Sequence, residues 1–202
     1  MNRYHRRCCR SPAWSAFMAG TVLPRALDGV ALGPQVLELG PGYGASTRPL
    51  AARAQSLTAL ESDPLLVARL RVELGSVQVV NGDATSIPFA AGSFSAVVCF
   101  TMLHHLPGPT AQDRLFAEAA RVLRPGGVFA GTDSQPSLRF RMIHLGDTCV
   151  PVDPATLPGR LAVAGFTRIT VDADRRLVRF AAYTPGAPKE KPGMTGPHDT
   201  PG

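Results

Sequence analysis

The chain has 202 residues, 45% of them apolar, which is enough for one domain with a real core and too little for two. Its longest apolar run, residues 94–103, is broken by Ser95 and Thr101 and is about half the length a membrane-spanning helix needs. The net charge of +6 is concentrated at one end. Arg3, Arg6, Arg7 and Arg10 carry four of the 21 basic groups, leaving 17 basic against 15 acidic groups elsewhere. An evenly basic, nucleic-acid-binding surface is therefore not indicated. Among the four cysteines, Cys8 and Cys9 are adjacent, and Cys99 and Cys149 lie far apart. No CxxC pair points to a disulfide framework or a structural zinc site, so a reducing, cytoplasmic setting is expected. No metal site is expected either. His5 with the adjacent Cys8 and Cys9 is a poor set for a first-row metal.

In chain order, residues 1–34 read as a basic leader into one helix over 12–27, with Trp14, Phe17 and Met18 on one side. Residues 35–183 read as the folded domain. Residues 184–202 hold five prolines and four glycines and read as a tail without enough apolar surface to fold. Within the domain, Gln35–Leu39 is an apolar run ending in glycines, hence the first strand, followed by a helix over 45–54. The second strand covers 56–60. Asp63 and Pro64 then supply an N-cap and a first-turn proline. Leu66, Leu70 and Leu74 give the next helix its apolar stripe, and Gly75 stands where a C-terminal cap belongs.

The third strand covers 77–80. Phe94–Phe100 reads as a strand buried on both faces. Thr110 and Asp113 have capping-box-like spacing ahead of a helix whose apolar face is Leu115, Phe116, Ala119, Val122 and Leu123. The segment Arg124-Pro-Gly-Gly127 breaks that helix, and 128–132 is the fifth strand. The last two strands, 166–171 and Leu177–Tyr183, are joined too closely for a helical crossover, so they pair antiparallel. The sum is an α/β fold, a mainly parallel seven-stranded sheet covered by helices with an antiparallel last strand.

The first strand ends in Glu38-Leu-Gly-Pro-Gly-Tyr-Gly44 and leads into a helix. Glycines let the backbone approach a ligand, and the helix start offers unpaired amides. Gly40, Gly42 and Ala45 also satisfy the dinucleotide pattern, with Glu61 at 21 residues beyond Gly40, which keeps an NAD(P)-dependent oxidoreductase as an alternative. That alternative lacks a Tyr-x-x-x-Lys or a comparable hydride site, since the chain's only lysines are Lys189 and Lys191.

The whole set reads differently. Glu38 precedes the glycines, the third strand ends in Asn81-Gly-Asp83-Ala84, and the fourth runs into Phe100-Thr-Met-Leu-His-His-Leu-Pro107. Leu123-Arg-Pro-Gly-Gly127 precedes the fifth. Together these resemble the class I S-adenosylmethionine-dependent methyltransferases of the small-molecule, type 11 group, over about residues 35–134. The resemblance implies a Rossmann-like fold and S-adenosyl-L-methionine as cofactor. It implies that Glu38, Gly40 and Gly42 flank the methionine end and that Glu61 holds the ribose. Asp83 and the Ala84 amide would hold the adenine, and Phe100 would lie under the cofactor near the sulfonium.

Ser95 departs from the family's frequent aspartate at a position that is usually structural. The absence of an Asp/Asn-Pro-Pro-Tyr segment after the fourth strand turns the reading away from nucleic-acid and glutamine substrates. The expected activity is methyl transfer to a small-molecule acceptor; a non-catalytic cofactor-binding protein is the other alternative. His104, His105 and His144 are candidate catalytic groups, against the plainer roles of capping a helix or lining a pocket. His144 and Asp147 are spaced to share a helix face. The leader is expected to act as a lid, with Tyr4 and His5 near the cofactor's methionine end.

Overall fold

The computed structural model describes residues 2–186. One seven-stranded sheet forms the centre, in the order β3-β2-β1-β4-β5-β7-β6. Its strands are β1 Gln35–Leu39, β2 Ser56–Glu61, β3 Gln78–Asn81, β4 Phe94–Phe100, β5 Leu123–Ser134, β6 Thr167–Ala173 and β7 Leu177–Tyr183. The first five pair in parallel. β7 runs antiparallel to both β5 and β6, as the short link before it requires. The helices are α1 Arg3–Cys9, α2 Pro12–Phe17, α3 Leu23–Ala26, α4 Thr47–Ala51, α5 Pro64–Glu73, α6 Pro109–Val122, α7 Leu138–Ile143 and α8 Leu157–Val163.

Strand alternation divides the core between two faces. Val36, Ala96, Val98 and Phe100 join Met18, Val22, Leu23, Val67 and Leu70 on one face. Leu37, Leu39, Val97 and Cys99 meet Leu115, Phe116 and Ala119 of α6 and Leu161 of α8 on the other. β4 is buried along its whole length because it sits mid-sheet with helices on both sides. Successive connections from β1 and β4 leave in opposite directions, so a crevice opens where their carboxyl ends part.

Several local expectations are corrected. The helix over 12–27 is three pieces, α2, a π turn at Met18–Val22 and α3. The π turn lies just ahead of Pro24, which cannot donate a backbone hydrogen bond. The basic leader itself forms α1, capped by the Asn2 side chain, which accepts from His5 N–H at 2.8 Å. α4 is shorter than expected, since residues 41–46 form the turn of the glycine loop. The Thr110–Asp113 capping box does not form. α6 starts at Pro109 behind Gly108, and Asp113 instead accepts from Arg160 Nε at 2.7 Å. β5 begins at Leu123, five residues before the expected start.

Ser95 is structural as expected. It is buried and ties the chain before β1, accepting from Gln35 N–H at 3.0 Å and lying 2.7 Å from the Leu32 carbonyl. The boundary at residue 184 shifts outward. Thr184 is buried, with its hydroxyl 2.7 Å from the Arg124 carbonyl, and the Pro185 carbonyl accepts from Gly126 N–H. The rest of the expected tail, 187–202, lies outside the described residues.

Candidate active site

A cavity of about 1080 Å³ opens at the carboxyl ends of the strands. One wall is the glycine loop. Gly40 and Gly42 hold φ of 65° and 56°, the left-handed region that favours glycine. A Cβ at Gly40 would sit 2.4 Å from Met102 Cγ, whereas nothing lies within 4 Å of one at Gly42. The loop is thus packed against Met102 at one glycine and bare at the other.

Glu61, at the end of β2, accepts from Gly42 N–H and Asp63 N–H, each at 3.0 Å. Its carboxylate lies on the cavity wall and retains lone pairs for further donors. Asp83 Oδ1 accepts from Thr85 N–H at 2.7 Å, while Oδ2 has no partner among the described residues. Asp83, Ala84 and Phe100 all line the cavity. Glu38 does not. It lies under the loop, 1% exposed, and accepts from the Ser46 hydroxyl. Its Oε2 is buried too, and burial pushes its carboxyl up to about 7, against the pull of the Ser46 and Thr47 hydroxyls. Glu38 therefore buttresses the loop from below, without forming the cavity surface.

The other wall is a cluster of four histidines. His104 and His105 form a 3-10 turn after β4, His144 follows α7, and His5 comes from α1. His104 Nδ1 lies 2.5 Å from Asp133 Oδ1, and His104 N–H donates to Oδ2 at 2.8 Å. Asp133, at the end of β5, is fully buried and has these bonds and the Ser134 N–H to offset its desolvation. His144 Nδ1 bonds the Phe140 carbonyl at 2.8 Å, and its Nε2 lies 3.1 Å from His104 Nε2. His5 Nδ1 meets Asp147 Oδ2 at 3.0 Å. Burial, then the neighbouring histidines, pushes His105 down to about 3. Burial also lowers His5 and His144. Just before this turn, Thr101 holds φ at 51°, an outlier for a β-branched residue.

The structure thus gathers the three candidate histidines at one wall and adds His5 to them. Tyr4 points away and is 60% exposed. His144 and Asp147 do not share a helix face, because α7 ends at Ile143. They meet through His5 instead. Asp133 was missed from the sequence; its one signal was a carboxylate at the carboxyl end of a core strand.

The comparisons with known proteins narrow the readings. Residues 37–131 match the family model described as a methyltransferase domain. This segment is a class I S-adenosylmethionine-dependent methyltransferase domain. The match sets aside the oxidoreductase alternative for the methyltransferase domain, whose cofactor is S-adenosyl-L-methionine. The chain is 38% identical over 108 residues to the fatty-acid O-methyltransferase of Mycolicibacterium smegmatis (strain ATCC 700084 / mc(2)155), covering 52% of this chain and 38% of that protein. It is 37% identical over 120 residues to the ubiquinone biosynthesis O-methyltransferase of Xanthomonas oryzae pv. oryzae (strain PXO99A), covering 56% and 49%. The chain therefore spans about half or less of the length of these relatives.

Haemonchus contortus phosphoethanolamine N-methyltransferase 2, solved with S-adenosyl-L-methionine, shares the fold with a TM-score of 0.68. It is 16% identical, and the match covers 92% of this chain and 60% of that one. The methyltransferase domain's glycine loop fits the cofactor on its own geometry. It offers a bare backbone face at Gly42 and, beside it, carboxylates at Glu61 and Asp83 with capacity for hydroxyl and amino donors. Among the described residues, no helix is long and apolar enough to cross a membrane.

Proposed function

We propose that the chain transfers a methyl group from S-adenosyl-L-methionine to an oxygen of a small-molecule acceptor. One observation carries this reading: a single cavity is walled by Gly40, Glu61 and Asp83 on one side and by His104, His105 and His144 on the other. When bound, the cofactor supplies an electrophilic methyl group on a sulfonium. Glu61 takes the two ribose hydroxyls, while Asp83 and the Ala84 amide take the adenine edge. Gly40 and Gly42 let the backbone approach the methionine end over the Phe100 floor. Asp133 fixes the His104 ring, so the acceptor meets a wall of set orientation. Much of the acceleration comes from holding the two reacting atoms in line at near-attack distance.

Arg139, Arg175 and Arg176 stand on the rim of the same cavity and have no carboxylate partner among the described residues. They favour an anionic acceptor by steering. The printed activities of the two O-methyltransferase relatives support an oxygen acceptor. The small charge excess outside the first ten residues supports a small molecule over nucleic acid, and the free cysteines support a cytoplasmic site of action. α1 covers the histidine wall as a lid, held by Asn2 Nδ2 on the Ile143 and Leu145 carbonyls at 2.8 and 3.0 Å. The test is transfer of labelled methyl from S-adenosylmethionine to a panel of fatty acids and phenols. Turnover with at least one acceptor is expected. Cofactor binding without turnover on any of them would return the chain to a non-catalytic cofactor-binding role.

A further inference from the structure

His5, His105 and His144 each offer a ring nitrogen, and these atoms all lie within 4.8 Å of one another. The rings come from three distant parts of the chain: α1, the turn after β4 and the end of α7. Each is anchored through another contact. His5 Nδ1 is on the Asp147 carboxylate and His144 Nδ1 on the Phe140 carbonyl, and the Thr148 backbone hydrogen-bonds the His105 ring. Metal-binding histidines are held in this way, with the second ring nitrogen on a carboxylate or carbonyl that fixes tautomer and orientation.

The carbonyl of Phe140 only accepts, so His144 Nδ1 donates to it and the ring turns its Nε2 toward the cluster. That nitrogen lies 3.1 Å from His104 Nε2, a hydrogen-bond distance.

We propose that His5, His105 and His144 form a binding site for a first-row divalent metal ion, zinc in the first instance. Imidazole suits zinc, and three protein ligands leave a fourth position open. A tetrahedral ion with bonds of ~2.0–2.1 Å places its nitrogens roughly 3.3 Å apart. The rings therefore draw inward by about 1 Å, within the reach of side-chain rotation. The open position faces the cavity that all three residues line, where an oxygen ligand enters. The ion also fastens α1 to the body, because His5 is its ligand from that helix. The oxygen ligand's identity as the methyl acceptor rests on the reading of the cavity above; the metal site does not.

The experiment uses the full chain without an affinity tag, stripped with chelator and titrated with Co²⁺ in the absence of any cofactor. One equivalent is expected, with visible d–d bands and no sulfur charge-transfer band. Zn²⁺ should displace it and raise the melting temperature. His5→Ala and His144→Ala should each weaken binding at least tenfold, while the Cys8→Ser/Cys9→Ser double variant should bind as the parent does. If a histidine variant fails to fold, His105→Gln, at the half-buried member of the cluster, replaces it. Acetohydroxamate, a bidentate oxygen donor, should shift the Co²⁺ bands by entering the open position. The proposal is overturned if less than one equivalent binds, if the histidine variants bind normally, or if binding is lost only in the cysteine variant. Because the titration contains no S-adenosylmethionine, its outcome is independent of whether methyl transfer occurs.

Discussion

The buried Glu38 makes stability depend on pH in a way that one substitution removes. Its carboxyl is raised from 4.5 to about 7 by burial. Between those values the folded chain holds a proton that the unfolded chain has released, so stability falls as pH rises through that window and is level above it. The difference of 7 minus 4.5 corresponds to about 3 kcal/mol at 1.36 kcal/mol per pH unit. Glu38→Gln keeps an oxygen for the Ser46 hydroxyl and has nothing to ionise. His5, His105 and His144 are shifted down, which makes stability rise with pH up to about 6.5, but they are the same in both proteins and cancel in the comparison. Urea unfolding of both proteins at intervals from pH 4.5 to 8 reads the effect. The advantage of the variant should grow by about 3 kcal/mol across the window, or roughly 6–12 °C in melting temperature for a chain of this size. Parallel stability curves would refute the placement of Glu38 as a desolvated carboxyl under the loop.

Two further outcomes concern the loop and the chain's end. Gly40→Ala places a Cβ against Met102 in a left-handed conformation, at a strain of about 1–3 kcal/mol; calorimetry should show cofactor affinity lowered about tenfold, and unchanged affinity would mean that the loop does not approach the ligand. Truncation after residue 186 should leave the melting temperature unchanged. Truncation after Tyr183 removes the Thr184 and Pro185 bonds to residues 124–127 and should cost about 1–3 kcal/mol; equal melting temperatures for the two truncations would contradict the docking of Thr184.

The strands were legible because each is a local apolar run with period two or continuous burial. The glycine loop was legible because its spacing leaves few backbone alternatives. The antiparallel end followed from the length of one link. Other features depended on partners far along the chain. α1 reads as a string of arginines with no apolar stripe, and its reason to fold is His5 meeting Asp147, 142 residues away. The Thr110–Asp113 spacing looked like a cap, but Arg160 took the carboxylate. Glu38 matched the family's motif position, yet which way it faces depends on Ser46 and on the depth of the sheet. The histidine wall is the clearest case. His104 and His105 stood out as a pair, but only the fold brings Asp133, His144 and His5 to them.

The most direct test of the central claim is calorimetric titration of the chain with S-adenosylhomocysteine, beside its Glu61→Ala variant and an NAD control. The account predicts one equivalent bound by the parent, and no heat with NAD. At a hundredfold excess over the dissociation constant, it predicts about 2.7 kcal/mol of added stability. Glu61→Ala should weaken binding by about 1–3 kcal/mol, the worth of hydrogen bonds to a charged acceptor. Binding of NAD in place of S-adenosylhomocysteine, or unimpaired binding by the Glu61 variant, would contradict it.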